Sequence, residues 1–201
     1  MPNWDENSPQ LKKNLTLVLE EISSEARRRN LPAVEMARHW QDVVMRGLTP
    51  DNPRYVGAFR GEPGLETTGV RVGPHFGAEP ARVAEELRQF ERELRSRVAQ
   101  LDSSLPQGQL PDAGQLVAII DLCAWAHAEW VRIHPFANGN GRTARLWANF
   151  IAMRYGLPPF IRLRPRPDGG YGEAGSRAMQ GDWRSTAVVF RRLWLDFSAS
   201  L

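Results

Sequence analysis

The sequence predicts an all-α fold with one small β hairpin, and three observations support this expectation. Apolar residues recur at helical spacing through most of the 201-residue chain. The segment 112–133 is apolar around most of its circumference, which is typical of a helix buried at the centre of a bundle. Short β-like runs between glycines and prolines within 49–79 indicate a hairpin or an extended flap.

The helices follow in chain order from their apolar stripes and stop signals. The predicted spans are 8–29, 32–46, 80–102, 112–133 and 142–155, with one short and one longer helix within 171–197. Asp112 and Gln115 have the spacing of a capping box at the head of the central helix. Gly156, followed closely by two prolines, is a stop signal for the helix over 142–155.

Composition excludes several classes of protein. Hydrophobic residues make up 42% of the chain, and no apolar run approaches the roughly 18 residues of a membrane span. The polar start of the sequence is unlike a secretory signal peptide, so we expect a cytoplasmic protein with no membrane partner. Cys123 is the only cysteine, which excludes an internal disulfide and a cysteine-based zinc site.

The charge pattern does not support general nucleic-acid binding. The net charge is +3, and nearly all of the basic residues are arginines, since Lys12 and Lys13 are the only lysines. Arginine suits bidentate contact with phosphate, but a GC-rich genome favours arginine whatever the function. The chain has no long basic block and no interleaving of basic and aromatic residues.

The residues that carry chemistry lie in the segment 134–145, which reads His-Pro-Phe-Ala-Asn-Gly-Asn-Gly-Arg-Thr-Ala-Arg. His134 ends the buried helix and can accept a proton near neutral pH. A glycine-rich loop that enters a helix N-terminus directs backbone N–H groups at one place and forms an anion site. Arg142 and Arg145 are three residues apart and share a helix face beside that site. Each feature alone is common in structural roles, but together they favour attack on a phosphorus centre.

This segment resembles the signature of Fic proteins, His-x-Phe-x-(Asp/Glu)-Gly-Asn-Gly-Arg-x-x-Arg. The runs 57–60 and 70–73 are similar to the family's flap, the hairpin that docks the target chain, and the resemblance covers roughly residues 32 to 195. The family's fold is an all-α bundle around a central helix pair with that small hairpin. The resemblance therefore implies a Fic domain over 32–201, preceded by an N-terminal helix within 1–31.

The resemblance further implies a bacterial protein adenylyltransferase that transfers AMP from ATP to a target protein. His134 would deprotonate a Ser, Thr or Tyr hydroxyl, which would attack the α-phosphate while pyrophosphate leaves. The other implied roles are loop packing for Phe136, a cradle for the α- and β-phosphates at Gly139, Asn140 and Gly141, and binding of the β- and γ-phosphates by Arg142 and Arg145. Tyr171 would line the pocket for the base, or would only pack between helices.

The sequence departs from the signature at Asn138, where the family has an acid that holds Mg²⁺. A neutral amide oxygen binds a hard cation more weakly. This leaves three alternatives open: an active AMP transferase, a nucleotide-binding regulatory protein with little or no catalysis, or a transferase that uses another diphosphate-containing donor. Gly141 occupies a position that is lysine in the Doc branch, which transfers the γ-phosphate, so AMP transfer is favoured over phosphorylation.

Regulation is the last expectation from the resemblance. Many relatives carry an inhibitory helix with the pattern (Ser/Thr)-x-x-x-Glu-(Gly/Asn), and its nearest match is Thr16-Leu-Val-Leu-Glu20, although Glu21 follows it. In that role Glu20 would pair with Arg145 and block ATP. Otherwise a separate small inhibitory protein would act, or inhibition would be absent. Relatives include toxins and delivered effectors, so the protein could also act in a host or competitor cell.

Overall fold

The computed structural model describes residues 8–200, and it confirms a mostly helical fold with a small antiparallel sheet. The helices are α1 (Pro9–Arg27), α2 (Val34–Met45), α3 (Pro80–Ser104), α4 (Ala113–Ile133), α5 (Asn140–Arg154), α6 (Tyr171–Ala178) and α7 (Arg184–Ser198). The strands are β1 (Arg71–Val72) and β2 (His75–Phe76), and a short 3₁₀ turn covers Pro53–Tyr55. None of the helices within 8–200 is long and apolar enough to cross a membrane.

The centre of the bundle is the pair α4 and α5, which pack along each other and are flanked by α1, α3 and α7. The capping box at the head of α4 is confirmed, since the Asp112 carboxylate accepts from the Gln115 N–H at 2.8 Å and the Gln115 side chain accepts from the Asp112 N–H at 2.9 Å. Nearly all of α5 is buried. The pair therefore fixes the loop that joins the two helices, residues 134–139.

Helix α1 belongs to the same hydrophobic core as the rest of the chain. Its predicted stripe is buried, and the stripe consists of Leu11, Leu15, Val18, Ile22 and Ala26. The buried Asn14 side chain donates to the carbonyls of Val44 at 3.0 Å and Arg46 at 2.7 Å, which satisfies the end of α2. The stripe on α3, which consists of Val83, Leu87, Phe90, Leu94 and Val98, is also buried as predicted.

The structure corrects three boundaries. Helix α5 begins at Asn140, two residues before the predicted start, because the left-handed Gly139 already serves as its N-cap. Helix α3 runs on to Ser104. In the flap, only residues 71–72 and 75–76 form a hairpin. The run 57–60 does not pair with the hairpin, since Phe59 forms an isolated antiparallel bridge with Phe136.

Candidate active site

His134 terminates α4 with its backbone in the left-handed region, at φ 53° and ψ 55°. Its Nδ1 lies 2.8 Å from the Val131 carbonyl oxygen. Because a carbonyl can only accept, Nδ1 carries the hydrogen and Nε2 keeps a free lone pair. Burial lowers the pKa of His134, the bond to Val131 opposes this shift, and the charge of Arg60 reinforces it. The half-buried imidazole is therefore neutral at pH 7 and presents Nε2 as a base.

Arg60 holds the end of α4 against the flap. Its side chain is 2% exposed. Nε donates to the His134 carbonyl at 2.7 Å, Nη2 donates to the carbonyls of Ala78 at 2.8 Å and Ile133 at 3.0 Å, and Nη1 donates to Thr68 at 3.2 Å. Burial lowers the pKa of this guanidinium. The run 57–60 is similar to the family's flap in sequence, but no sequence pattern marks this contact of Arg60 with the backbone of His134.

Gly77 allows the flap to approach His134. A Cβ atom at position 77 would lie 2.6 Å from the His134 Cβ, 3.0 Å from the Arg60 Nη2 and 3.2 Å from the Ile133 carbonyl oxygen. Any side chain would push the flap away from the end of α4. The close packing of flap and histidine thus depends on a glycine at this position.

We expect Gly77→Ala to lower the free energy of unfolding by about 1–3 kcal/mol, the usual cost of overpacking. Gly69→Ala is the matched control, since a Cβ at Gly69 meets nothing within 4 Å in the same flap. Gly69→Ala should change the free energy of unfolding by no more than about 0.5 kcal/mol. Urea unfolding of both variants measures the difference, and equal stability of the two would contradict the close approach.

The anion site predicted from the glycine-rich loop would lie at the first turn of α5. Gly139 has φ 85°, a left-handed conformation that favours glycine, and it caps α5 without a side-chain hydrogen bond. Its carbonyl accepts from the Thr143 N–H at 3.0 Å, which starts the helix. The leading N–H groups of a helix lack partners within it, so this end attracts an anion. Gly141 is not among the positive-φ glycines, so its backbone needs no special freedom.

Asn140 shapes the loop from inside. Its side-chain oxygen accepts from the Phe136 N–H at 2.9 Å, and its amide nitrogen donates to the Phe136 carbonyl at 2.8 Å. Phe136 is fully buried, and its ring centre lies 4.9 Å from that of Phe59. Since both ends of the Asn140 amide are engaged in the core, only the backbone of this residue remains for phosphate.

The two arginines of the segment 134–145 differ in burial. Arg142 is half-buried, and its Nη2 lies 3.8 Å from the position of a Cβ on Gly139. Arg145 is 7% exposed. Its Nη1 donates to the Tyr171 hydroxyl at 3.3 Å and its Nη2 to the Leu163 carbonyl at 3.0 Å. Arg145 Nη1 lies 3.6 Å from the position of a Cβ on Gly141, so both guanidinium groups lie beside the first turn of α5, an end that no side chain caps.

Asn138 occupies the position at which the signature has an acid, and its side chain is already engaged within the loop. Its side-chain oxygen already accepts from the Gly139 N–H at 2.6 Å. No group of three or more His, Cys, Asp or Glu residues that could hold a metal occurs within residues 8–200. Mg²⁺ is normally held by one or two carboxylates together with phosphate oxygens. These side chains do not fit a metal held by the protein itself.

Tyr171 and Glu20 lie in different environments. The Tyr171 ring is 6% exposed at the start of α6, and its hydroxyl lies beside Arg145. A role for this ring at a nucleotide base stays a prediction.

Glu20 is exposed on α1, off the buried stripe, whereas the hydrogen bonds of Arg145 go to Tyr171 and Leu163. The structure does not pair Glu20 with Arg145, and an inhibitory role for Glu20 stays a prediction.

Fold and site together define a helical protein whose central helix pair is joined by a loop with a histidine and a glycine, followed by two arginines in the first turns of α5. The model of the Fic/DOC family matches residues 33–152, and the chain belongs to this family. The chain is 50% identical over 66 residues to the protein adenylyltransferase Fic of Nematostella vectensis, a match that covers 32% of this chain and 15% of that protein. It is 39% identical over 92 residues to the protein of the same name in Drosophila persimilis, covering 46% of this chain and 15% of that one.

The matched region therefore spans about 15% of the length of these curated relatives. A solved structure, a Fic domain containing signaling protein from Bacteroides thetaiotaomicron, aligns with a TM-score of 0.58 at 22% identity. The alignment covers 95% of this chain and 67% of that chain. At this level of identity the likeness shows the shared fold.

Proposed function

We propose that the chain is a protein adenylyltransferase that transfers AMP from ATP to a hydroxyl side chain of a target protein. The observation that carries this proposal is the loop 134–139, which joins a neutral histidine with a free Nε2 to a helix N-terminus that no side chain caps. Arg142 and Arg145 add positive charge at the same helix end. The names of the animal relatives point to the same reaction.

The residues would act in one displacement at phosphorus. His134 Nε2 takes the proton from a Ser, Thr or Tyr hydroxyl of the target, and the freed oxygen bonds to the α-phosphorus of ATP. The bond between the α-phosphorus and the bridging oxygen breaks, and pyrophosphate leaves with the electron pair. The N–H groups at the start of α5 and the two arginines stabilise the charge on the phosphates, so catalysis consists of positioning and electrostatic stabilisation.

A second candidate function is nucleotide binding for regulation with little catalysis, and Asn138 supports it. The neutral oxygen of Asn138 is already engaged by the Gly139 N–H. In the first proposal Mg²⁺ would arrive with ATP as its phosphate complex, with Asn138 at most a weak ligand. A transferase that uses another diphosphate-containing donor is a further alternative. A cytoplasmic location and a small inhibitory partner are separate proposals, and each needs its own test.

To test this proposal, the purified protein is incubated with Mg²⁺, a bacterial lysate and ATP labelled on the α-phosphate, beside a His134→Ala control. Parallel reactions use ATP labelled on the γ-phosphate. Label on protein from the α-labelled ATP, and only with His134 intact, would establish AMP transfer. Label from the γ-position would instead indicate phosphorylation. The absence of both labels, with ATP binding retained, would favour the regulatory function.

Asn138→Asp should lower the Mg²⁺ concentration needed for half-maximal transfer by about tenfold, which corresponds to about 1.4 kcal/mol. The reason is that a carboxylate binds a hard cation more strongly than an amide does. Asn138→Ala is the control, because it removes the oxygen altogether. A magnesium titration of transfer activity measures all three proteins. If the Asn138→Asp variant and the wild type have equal activity at every Mg²⁺ concentration, the Asn138 amide does not limit the reaction.

A further inference from the structure

A second histidine, His127, lies two helical turns before His134 on α4 and is 2% exposed. Its Nε2 lies 2.6 Å from the hydroxyl oxygen of Tyr171. Arg145 donates to the same oxygen from Nη1 at 3.3 Å. Three elements, α4, α6 and α5, therefore contribute one side chain each to a buried chain of hydrogen bonds that ends at the candidate phosphate site.

The direction of these hydrogen bonds is fixed by chemistry. A guanidinium can only donate, so the Tyr171 oxygen accepts from Arg145. The hydroxyl hydrogen then needs an acceptor, and Nε2 of a neutral His127 supplies it. Burial, reinforced by the charge of Arg145, lowers the pKa of His127 to about 3, so the ring is neutral at pH 7. The opposite tautomer would direct two N–H donors at one oxygen and leave the hydroxyl hydrogen unpaired.

The His127 ring packs against two other rings, and one of its nitrogens is buried without a hydrogen-bond partner. It makes edge contacts with the Tyr171 ring at 5.4 Å and with the Phe190 ring at 5.2 Å between centres. Its other nitrogen, Nδ1, is buried without a hydrogen-bond partner. A phenylalanine would fill similar space without this unsatisfied group, so the Nε2 bond to Tyr171 is the feature that a histidine adds here.

The acceptors that hold Arg145 are both uncharged. They are the Tyr171 hydroxyl and the Leu163 carbonyl. A carboxylate in either place would neutralise the guanidinium and compete with phosphate for it. A hydroxyl that is itself anchored fixes the orientation of Arg145 and leaves its positive charge available.

We propose that His127 is a positioning residue that acts through the Tyr171 hydroxyl to hold the Arg145 guanidinium in place for the polyphosphate of the nucleotide donor. The identity of that donor as ATP rests on the proposed function. The assignment gives the Tyr171 hydroxyl a part in phosphate binding. It also gives a neutral, buried histidine a part in the site although it never touches substrate.

The first experiment measures dissociation constants for ATP and for AMP by isothermal titration calorimetry. Tyr171→Phe and His127→Phe should each weaken ATP binding by about tenfold, the effect of weakening one charge-assisted hydrogen bond between Arg145 and phosphate. AMP, which lacks the β- and γ-phosphates, should bind within about twofold of its wild-type affinity, a factor well below that single-bond effect. Tyr155→Phe is the matched control, because its buried hydroxyl donates to the Val98 carbonyl at 3.2 Å. It should leave the ATP affinity unchanged.

A double-mutant cycle separates positioning from general destabilisation. In an Arg145→Met background, Tyr171→Phe should have no further effect on ATP binding, because the residue through which it acts is gone. His127→Gln keeps an acceptor and should bind ATP more tightly than His127→Phe, which also covers the case that the phenylalanine variant does not fold. Equal loss of ATP affinity with and without Arg145, or ATP binding by Tyr171→Phe within twofold of wild type, would overturn the proposal.

Failure of this inference is distinguishable from failure of the proposed function. If the wild type transfers AMP through His134 but Tyr171→Phe binds ATP normally, the positioning role is wrong and the function stands. If the Tyr171 and Arg145 effects on ATP are coupled but no transfer occurs, the positioning role stands for a nucleotide-binding protein. A wild type that does not bind ATP contradicts both.

Discussion

His134→Ala should reduce the rate of AMP transfer by about 10²–10⁴-fold, the usual contribution of a general base. ATP affinity should change by less than about twofold, since the proposed phosphate contacts lie on α5 rather than on the imidazole. Single-turnover transfer measures the rate, and calorimetry with ATP measures binding. His39→Ala is the control, because His39 is exposed on α2 and pairs with Glu21. A His134 variant that keeps more than a tenth of the wild-type rate would assign the base to another group.

The pH dependence of the same reaction follows from the environment of His134. Burial lowers the pKa of this histidine below the ordinary value of about 6.5. The neutral form of His134 is the base, so the base persists as pH falls from 8 to 7. It is lost only when pH falls through the lowered pKa of His134, which lies below 6.5. We therefore expect kcat/KM to be level above pH 7 and to fall with a midpoint below about 6.5, since kcat/KM reports the free enzyme. A midpoint above that value would contradict a buried base.

Arg60→Met should lower the free energy of unfolding by about 3 kcal/mol, because four carbonyls in the flap and at the end of α4, in hydrogen bonds that are partly or fully buried, would lose a donor at once. It should also reduce transfer by about 10²-fold at temperatures where the variant stays folded, since the end of α4 would no longer be held in position. Urea unfolding measures the first effect and single-turnover transfer the second. Arg60→Lys keeps the charge but not the planar fork, and it should recover only part of each loss.

Arg88→Met is the matched control for Arg60. The Arg88 side chain is 62% exposed and pairs with Glu85 on the same face of α3. Exposed pairs of this kind contribute little, so the control should stay within about 0.5 kcal/mol of wild type. If Arg60→Met unfolds at the same urea concentration as Arg88→Met, the contacts of Arg60 with the four carbonyls do not hold the site together.

Local patterns determined most of the helices. The stripe from Val83 to Val98 predicts the buried face of α3, because residues three and four apart share a helix face whatever surrounds them. The Asp112 and Gln115 pair predicts the start of α4 for a similar reason, since a capping box involves only neighbours in the chain. The segment 134–145 likewise carries its chemistry within twelve consecutive residues.

Boundaries at the flap and at α5 were less predictable. The run 57–60 has the composition of a strand, yet Phe59 bridges to Phe136 rather than to the hairpin. Gly139 and Gly141 look alike in sequence, but only Gly139 adopts a left-handed conformation. Which glycine needs this conformational freedom depends on where α5 begins, and the hydrogen bonds of Asn140 to the Phe136 backbone fix the loop before that start.

The sequence by itself determined the all-α class, the central buried helix and the segment 134–145 with its histidine, glycines and arginines. The tertiary structure alone decided what holds these groups in place. Arg60 lies 73 residues before the Ile133 carbonyl that it binds, and His127 lies 44 residues before Tyr171. Every residue offers a backbone carbonyl, so no sequence pattern marks the ones that Arg60 will meet. Such contacts exist only once packing has brought distant segments together.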